Sequence, residues 1–243
     1  MSGEQRVDIV IPTYNEADNL ETLVASLLDA VPHAGIVIVD DASPDGTGEI
    51  ADRLASLHAP VRVVHRSRKE GIGPAYAAGF DRALSDGADL IVQMDADFSH
   101  RPADVPRLLV AAREAELVLG SRYVEGGEVG RWGRLRRWIS RSGSAYARLW
   151  LGLRVRDLTG GFKCYRREVV ETIDPAGIGA RGYGFQVETT YRAILADFRV
   201  VELPIHFEDR RVGESKMSNA IVFEAIWRVP LMRLRGRRFR RRG

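Results

Sequence analysis

The feature that most constrains the fold is a regular alternation of two kinds of segment in the first half of the chain. Apolar, β-branched runs of strand length occur at Val7 to Ile11, Ile36 to Val39, Val61 to Val64, Leu90 to Met94 and Leu117 to Leu119. Amphipathic segments of helix length lie between them, at Ala17 to Ala30, Thr47 to Leu57, Gly73 to Ser85 and Ala103 to Glu114. This alternation is typical of βαβ units, so we predict an α/β fold with a mostly parallel sheet flanked by helices. Such sheets bind ligands beyond the carboxyl ends of their strands.

The pattern changes in the second half of the chain. A glycine-rich loop at Val124 to Gly133 precedes an arginine-laced helix near Leu135 to Leu151, and an amphipathic helix begins at about Asn219. No internal repeat or linker divides the 243 residues, a length that one large domain can use to bury a core. We therefore predict one domain over residues 1–217, followed at 218–243 by an amphipathic helix and a basic tail. The single cysteine, Cys164, is expected to be a small buried apolar residue.

Positive charge is concentrated in two places. Six arginines and no acidic residue lie in Arg131 to Arg148, and eight arginines and no acidic residue lie in Arg228 to Gly243. The formal charge of the remainder is 22 − 33 = −11, because 36 basic and 33 acidic residues are present in all. An acidic body with two basic patches indicates an anionic partner that is met at particular places.

Three kinds of segment bear on where the protein is located: a secretory signal, a membrane-spanning helix and an amphipathic helix. The first residues lack the basic and apolar pattern of a secretory signal, and charges interrupt every apolar run before it reaches the length of a spanning helix. Ile221, Val222, Ala225, Ile226, Val229 and Leu231 have near-helical spacing next to the arginine tail. We therefore expect a cytoplasmic protein that contacts an anionic membrane peripherally, through this helix or through a separate anchoring protein.

Polar residues follow the first two predicted strands and should meet at one edge of the sheet. Tyr14 and Glu16 follow the first strand and Asp41 follows the second. An aromatic face with carboxylates is suited to a nucleoside, so we predict a nucleoside pocket here. The simpler interpretation is that Asn15 or Asp45 only caps the following helix, and it applies best to Asp45 and Thr47.

The fourth predicted strand ends in Met94-Asp95-Ala96-Asp97. Alternate residues of an extended segment point the same way, so Asp95 and Asp97 can face one ligand. Paired carboxylates on a loop favour Mg²⁺ or Mn²⁺ shared with substrate phosphates, although an isolated D-x-D is more often a solvated turn. His100 is more typical of a structural group than of a metal ligand.

Arginines near the same edge predict phosphate binding. Arg122 follows the fifth strand, where its guanidinium could clamp a phosphate; the alternative is that it pairs with a nearby acidic residue. Arg136 and Ser140 are four residues apart on the basic helix and share one face, which would form a second phosphate site.

With these motifs in place, the chain resembles the dolichol-phosphate mannosyltransferase and polyprenol monophosphomannose synthase branch of the inverting GT-A glycosyltransferases. Eight motifs recur in order over nearly all of the chain. They are VIPTYNE (Val10 to Glu16), VDDASPDGT (Val39 to Thr47), MDADFSH (Met94 to His100), GSRY (Gly120 to Tyr123), RRWIS (Arg136 to Ser140), LTGGFKCY (Leu158 to Tyr165), GYGFQVE (Gly182 to Glu188) and GESK (Gly213 to Lys216). The first three are common to many sugar transferases, whereas GSRY, RRWIS and GESK are specific to the lipid-phosphate branch.

The resemblance implies a role for each matching residue. Asp95 and Asp97 would hold Mg²⁺ or Mn²⁺ on the donor diphosphate. The nucleoside site would be lined by Pro12, Tyr14, Glu16 and Asp41. The acceptor phosphate would be held by Arg122, Arg136 and Ser140, under a loop carrying Arg211 and Lys216. Ser99 stands where the family often has a glutamine metal ligand, which puts metal affinity in question.

The implied function is metal-dependent, inverting transfer of mannose from GDP-mannose to a polyprenyl phosphate. Transfer of glucose from UDP-glucose to the same lipid is the alternative within enzymes, since the predicted base pocket does not separate guanine from uracil. A non-catalytic protein that binds anionic membrane or nucleic acid is the alternative outside them. That reading leaves Asp41, Asp95 and Asp97 unexplained, so nucleic acid is not an expected partner.

Overall fold

A computed structural model gives the structure of residues 5–130, 134–180, 182–208 and 227–234, without the side chains of residues 134–137 and 139. Within these residues, seven strands form one sheet in the order β3-β2-β1-β4-β7-β5-β8. Those strands are β1 (Val7–Thr13), β2 (Gly35–Asp40), β3 (Val61–His65), β4 (Leu90–Gln93), β5 (Leu117–Ser121), β7 (Lys163–Arg166) and β8 (Val200–Pro204). Two short strands, β6 (Glu128–Val129) and β9 (His206–Phe207), pair in parallel beside it.

Helices connect the strands. Those in the described part of the chain are α1 (Ala17–Ala30), α2 (Thr47–Leu57), α3 (Ile72–Ser85), α4 (Val105–Ala111), α5 (Arg134–Leu151), α6 (Arg167–Ile173), α7 (Tyr183–Leu195) and α8 (residues 227–234). α1 and α2 have the predicted bounds. The predicted helix Ala103 to Glu114 is shorter than expected, because a 3-10 turn at Pro102–Asp104 precedes α4 and α4 ends at Ala111. None of the helices described is both long and apolar enough to cross a bilayer.

The predicted parallel pairing is confirmed for β1 to β4, and two strands that the sequence pattern did not reveal, β7 and β8, complete the sheet, with β8 parallel to β5. β1 pairs in parallel with β2 and β4, and β2 with β3. β7 lies antiparallel between β4 and β5, so that Cys164 is opposite both Val92 and Val118. The loop that leads into β7 therefore reaches the carboxyl ends of β4 and β5, where ligands of such sheets bind.

The core has one layer on each face of the sheet. Ile9 and Ile11 of β1 point toward α1, α2 and α4, whereas Val10 points toward α3 and α7. Glycine is required at position 79 because α3 packs closely on β1 there, and a Cβ would lie 2.2 Å from Cγ1 of Val10. Cys164 is fully buried, and burial raises the pKa of its thiol to about 12, which confirms that it is a packing residue.

The predicted helix of the C-terminal segment falls partly on the described residues. α8 inserts Val229 and Met232 into the core layer next to α7. Trp227, Leu231 and Leu234 lie at spacings of four and three residues and are exposed, which places them on the opposite side of the helix. Val229 and Leu231 therefore do not share one apolar face as their spacing suggested. Ile221, Val222, Ala225 and Ile226, and the arginines from residue 235 onward, lie outside the described residues.

Candidate active site

A cavity of about 340 Å³ lies at the carboxyl ends of β1, β2 and β4. Its walls come from the loops after these strands, from the first turns of α3 and α7, and from the loop before β7. It brings together six of the predicted site residues, which are Pro12, Tyr14, Glu16, Asp41, Asp95 and Asp97. Five further residues line it, which are Lys69, Thr159, Gly161, Tyr183 and Gln186. The last four belong to the motifs LTGGFKCY and GYGFQVE, within which the sequence assigned no individual role.

Tyr14 and Asp41, two residues of the predicted nucleoside pocket, both line the cavity. The ammonium of Lys69 lies 3.6 Å from the centroid of the Tyr14 ring, in a cation–π contact. Asp41 is buried and paired with Arg66, which also binds Glu70. Burial raises the pKa of Asp41 even though Arg66 opposes this shift. The carboxylate is therefore held in place by a partner on the loop after β3.

Part of the alternative interpretation, that these residues cap helices, is confirmed for Asp45. Its carboxylate accepts hydrogen bonds from the main-chain N–H groups of Ala17 and Thr47, at 3.2 and 3.1 Å. One side chain thus satisfies free donors at the starts of both α1 and α2. Its role is to fix the two loops that carry Glu16 and Asp41 relative to one another.

Asp95 is oriented by two buried neighbours. The hydroxyl of Tyr76 donates to Oδ1 of Asp95 at 2.7 Å, and burial together with Asp95 raises the pKa of Tyr76, so the phenol keeps its proton. Nδ1 of His100 accepts from the N–H of Asp95 at 3.3 Å, and the His100 ring stacks on Phe162. Burial lowers the pKa of His100, which keeps the ring neutral. His100 is thus a structural group, as the sequence suggested.

The surroundings of the two carboxylates fit a divalent cation shared with a ligand. Oδ1 of Asp97 accepts a hydrogen bond from the main-chain N–H of Ser99 at 3.0 Å, so the main chain of this loop fixes the Asp97 carboxylate. A Cβ on Gly161 would lie 3.3 Å from Oδ2 of Asp95, so the glycine keeps open the space in front of that oxygen. No cluster of three or more protein ligands occurs within the described ranges. The donor set therefore suits a cation that completes its shell with phosphate oxygens and water, as Mg²⁺ does.

Arg122 is not a free guanidinium at the rim. It is 6% exposed and binds Asp157 through two hydrogen bonds of 2.7 Å, from Nε and Nη2. Burial alone would raise the pKa of Asp157, but Arg122 lowers it, and the pKa of Arg122 is raised in turn. The structure shows the pairing that the sequence analysis named as the alternative, and contact of Arg122 with an acceptor phosphate stays a prediction.

A chain of hydroxyl groups joins the Arg122 region to the cavity. Nη2 of Arg122 donates to the hydroxyl of Thr159 at 3.0 Å, and Thr159 lies 3.3 Å from the hydroxyl of Ser144 on α5. The Tyr123 hydroxyl donates to that of Ser140 at 2.7 Å. Arg122 and Ser140 therefore lie behind Thr159, which lines the cavity, and their contact with an acceptor phosphate stays a prediction. Arg136 lies on α5 but its side chain is outside the described residues, as are Arg211 and Lys216 entirely.

A family model and a number of curated proteins match this chain. The model described as glycosyl transferase family 2 matches residues 8–174. An undecaprenyl-phosphate mannosyltransferase from Micrococcus luteus is 49% identical over 92% of each chain. A polyprenol monophosphomannose synthase from Mycolicibacterium smegmatis is 46% identical over 98% of this chain and 91% of that protein. A dolichol-phosphate mannosyltransferase from Pyrococcus furiosus is 36% identical over 91% of this chain and 62% of that protein.

Solved structures confirm the fold. A glucosyl-3-phosphoglycerate synthase from Mycobacterium tuberculosis, crystallised with Mn²⁺, UDP-glucose and phosphoglyceric acid, superimposes with a TM-score of 0.69. The similarity covers 94% of this chain and 79% of that one, at 21% identity. At that identity the likeness concerns the fold, which is the predicted GT-A arrangement.

Proposed function

The chain belongs to glycosyl transferase family 2 and is a glycosyltransferase, and on that premise we propose that it transfers mannose from GDP-mannose to a polyprenyl phosphate, with inversion and with a divalent metal ion. The names of the two relatives above 45% identity support the sugar and the class of acceptor. Membership of a glycosyltransferase family argues against the alternative function, a non-catalytic protein that only binds membrane or nucleic acid.

The observation that carries this proposal is the order of groups along the cavity. Across the sheet, Asp41 follows β2, Tyr14 follows the neighbouring β1, and Asp95 and Asp97 follow β4. Thr159 lies on the loop before β7, the next strand, and contacts Arg122. A nucleoside, a diphosphate and an anionic acceptor would meet these groups in the same order. The arrangement suits a nucleotide-sugar donor whose sugar lies between the carboxylates and a cationic acceptor site.

Asp95 and Asp97 would hold the metal ion, with Tyr76 fixing the orientation of Asp95. When bound, a divalent cation stabilises the charge that develops on a departing diphosphate. The chain's own contribution is geometric: Tyr76 and the N–H of Ser99 each occupy one carboxylate oxygen and so restrict the orientation of the pair.

The described lining of the cavity also suits a phosphate nucleophile. It contains no histidine, and two of its carboxylates are engaged in contacts, Asp41 with Arg66 and Glu16 with Asn19. A hydroxyl acceptor would need a general base, whereas a phosphate monoester carries about −1.5 to −2 charges at neutral pH and attacks without giving up a proton. We propose that Arg122, Arg136 and Ser140 orient this acceptor, and that Arg211 and Lys216 close over it.

The donor and acceptor can be identified directly. Purified protein is incubated with undecaprenyl phosphate in detergent and with radiolabelled GDP-mannose or UDP-glucose, and lipid-extracted label is measured with Mg²⁺, with Mn²⁺ and with EDTA. We expect label in the lipid from GDP-mannose alone, and its loss with EDTA. Equal or greater transfer from UDP-glucose would refute the proposed donor, and transfer unaffected by EDTA would refute the metal.

An exposed apolar patch supports contact with a membrane, where the lipid acceptor resides. The patch consists of Leu149 and Trp150 at the end of α5 and Trp227, Leu231 and Leu234 on α8, each at least 45% exposed. Nη1 of Arg233 donates to the carbonyl of Trp150 at 2.8 Å and thereby joins the two helices. Tryptophan and leucine beside arginines are typical of helices that lie in the headgroup region.

Replacing Trp227 and Leu231 together by serine is expected to weaken binding to liposomes that contain anionic lipid by about tenfold or more, as measured by sedimentation. The reason is that two large apolar side chains no longer contribute their burial energy to membrane binding. GDP-mannose affinity should not change, because neither residue lines the cavity. Leu57→Ser is the matched control, since Leu57 is 67% exposed at the end of α2, on the other side of the sheet. Undiminished liposome binding of the double variant would contradict a role for the patch.

A further inference from the structure

Beneath the cavity, a chain of buried hydrogen bonds determines which end of the Gln186 amide faces the ligand. The Tyr165 hydroxyl donates to Oε1 of Gln93 at 3.0 Å, which leaves Nε2 of Gln93 to donate to Oε1 of Gln186 at 2.6 Å. An amide presents an acceptor at one end and donors at the other. Because its acceptor is occupied by Gln93, Gln186 presents its NH₂ group to the remaining side.

That NH₂ group points into the cavity. Gln186 is 4% exposed and lines the cavity, and Nε2 of Gln186 has no hydrogen-bond partner among the described residues. A Cβ on Gly161 would lie 3.5 Å from this nitrogen and 3.3 Å from Oδ2 of Asp95, so the nitrogen and the carboxylate border the same space. Among the described residues, Oδ2 of Asp8 is the one side-chain polar atom that is both enclosed and unpaired, so the unpaired Nε2 of Gln186 is open to the cavity, where a ligand or water can accept its hydrogen bond.

The main chain of Gln186 is fixed as well. Nζ of Lys163, whose pKa burial lowers to about 7, donates to the carbonyl of Gln186 at 2.7 Å and lies 3.0 and 3.1 Å from the hydroxyls of Thr189 and Thr190. Lys163 is fully buried on β7, so these bonds tie the first turns of α7 to the sheet. Both the backbone and the side chain of Gln186 are therefore positioned before any ligand binds, which is the arrangement that gives a donor its selectivity.

The position of the NH₂ group identifies its ligand. The loop from Thr159 to Gly161 runs from the Arg122 contact to Asp95, and Gln186 adjoins the Gly161 end. In a donor whose diphosphate lies at Asp95 and Asp97, the group that extends toward Thr159 is the transferred sugar. We infer that Gln186 is a specificity-determining residue that donates a hydrogen bond from Nε2 to a hydroxyl oxygen of the transferred sugar, an inference that rests on the proposed function.

The test compares two ligands that differ only by the sugar. Dissociation constants of GDP and GDP-mannose are measured by titration calorimetry with Mg²⁺ for the wild-type protein and for Gln186→Met, which keeps the volume and removes the donor. Affinity for GDP-mannose should fall about tenfold and affinity for GDP by less than about twofold, as expected for loss of one buried hydrogen bond. Gln5→Met, at an exposed position near the amino terminus, is the matched control.

Three results would overturn the inference: equal weakening of both ligands, which would place Gln186 on the diphosphate; weakening of GDP alone; or no change in either. If Gln186→Met does not fold, Tyr165→Phe serves instead, because it removes the donor that orients Gln93 and should also weaken GDP-mannose selectively. A wild-type protein that binds neither ligand would refute the proposed donor separately, and the same ratio is then measured with UDP and UDP-glucose.

Discussion

Asp97→Ala is expected to lower mannosyl transfer by about a thousandfold while leaving the fold intact. The carboxylate borders the cavity on the loop after β4 and accepts a hydrogen bond from the N–H of Ser99. Loss of that bond costs about 1 kcal/mol of stability, which a folded domain tolerates. Transfer should fall much further, because a metal ligand acts where charge develops on the leaving diphosphate.

The measurement is initial transfer rate at saturating Mg²⁺, with the melting temperature as a check on folding. Asp104→Ala is a suitable control, since Asp104 is also a largely buried aspartate but pairs with Arg107 and does not line the cavity. If Asp97→Ala turned over at a near-normal rate, the carboxylate pair would not be the metal site.

Arg122→Met is expected to destabilise the protein by about 3–5 kcal/mol, because it leaves the buried carboxylate of Asp157 without its partner. Asp157 is fully buried at the side chain and accepts two hydrogen bonds from the guanidinium. Loss of transfer in this variant alone would therefore say little about the acceptor, since unfolding would lower activity too.

The double variant Arg122→Met/Asp157→Asn separates the two effects. In the structure, the main-chain N–H of residue 122 donates to the Asp157 carboxylate at 3.0 Å. Asparagine at position 157 keeps an oxygen that can accept this bond and carries no charge. Most of the lost stability should return, as measured by urea unfolding. If the double variant is folded and its transfer rate is still at least tenfold below that of the wild type, Arg122 also acts on the acceptor. Unchanged stability of Arg122→Met would contradict the buried pair.

The helices and strands of the first half could be predicted because the signals that define them lie close together in the sequence. The helices α1 and α2 begin and end at the predicted residues, because an apolar stripe with helical spacing and polar residues at its ends defines a helix within about fifteen residues of sequence. β7 was not predicted. It is a four-residue strand of mixed polarity, Lys163–Arg166, and only β4 and β5 on either side give it hydrogen-bonding partners.

The candidate site divides in the same way. Asp95 and Asp97 could be read from the sequence, since both follow one apolar run and alternate along it. Their neighbour Tyr76 could not, because it is separated from Asp95 by 19 positions and belongs to an ordinary apolar helix face. Arg122 was recognised, but its partner Asp157 lies 35 residues away, so the sequence could not decide whether the guanidinium is free.

The sequence alone therefore determined the α/β class, the edge of the sheet where the cavity lies, and the residue types that meet there, because each depends on periodicity and on the order of strands and loops. The tertiary structure decided how those groups are held. Whether Arg122 is paired, which oxygen of Asp95 is occupied and which end of the Gln186 amide faces the cavity depend on hydrogen bonds between residues distant in the chain. Such bonds form only when packing removes water from both partners and leaves each buried polar group with the neighbours that the fold provides.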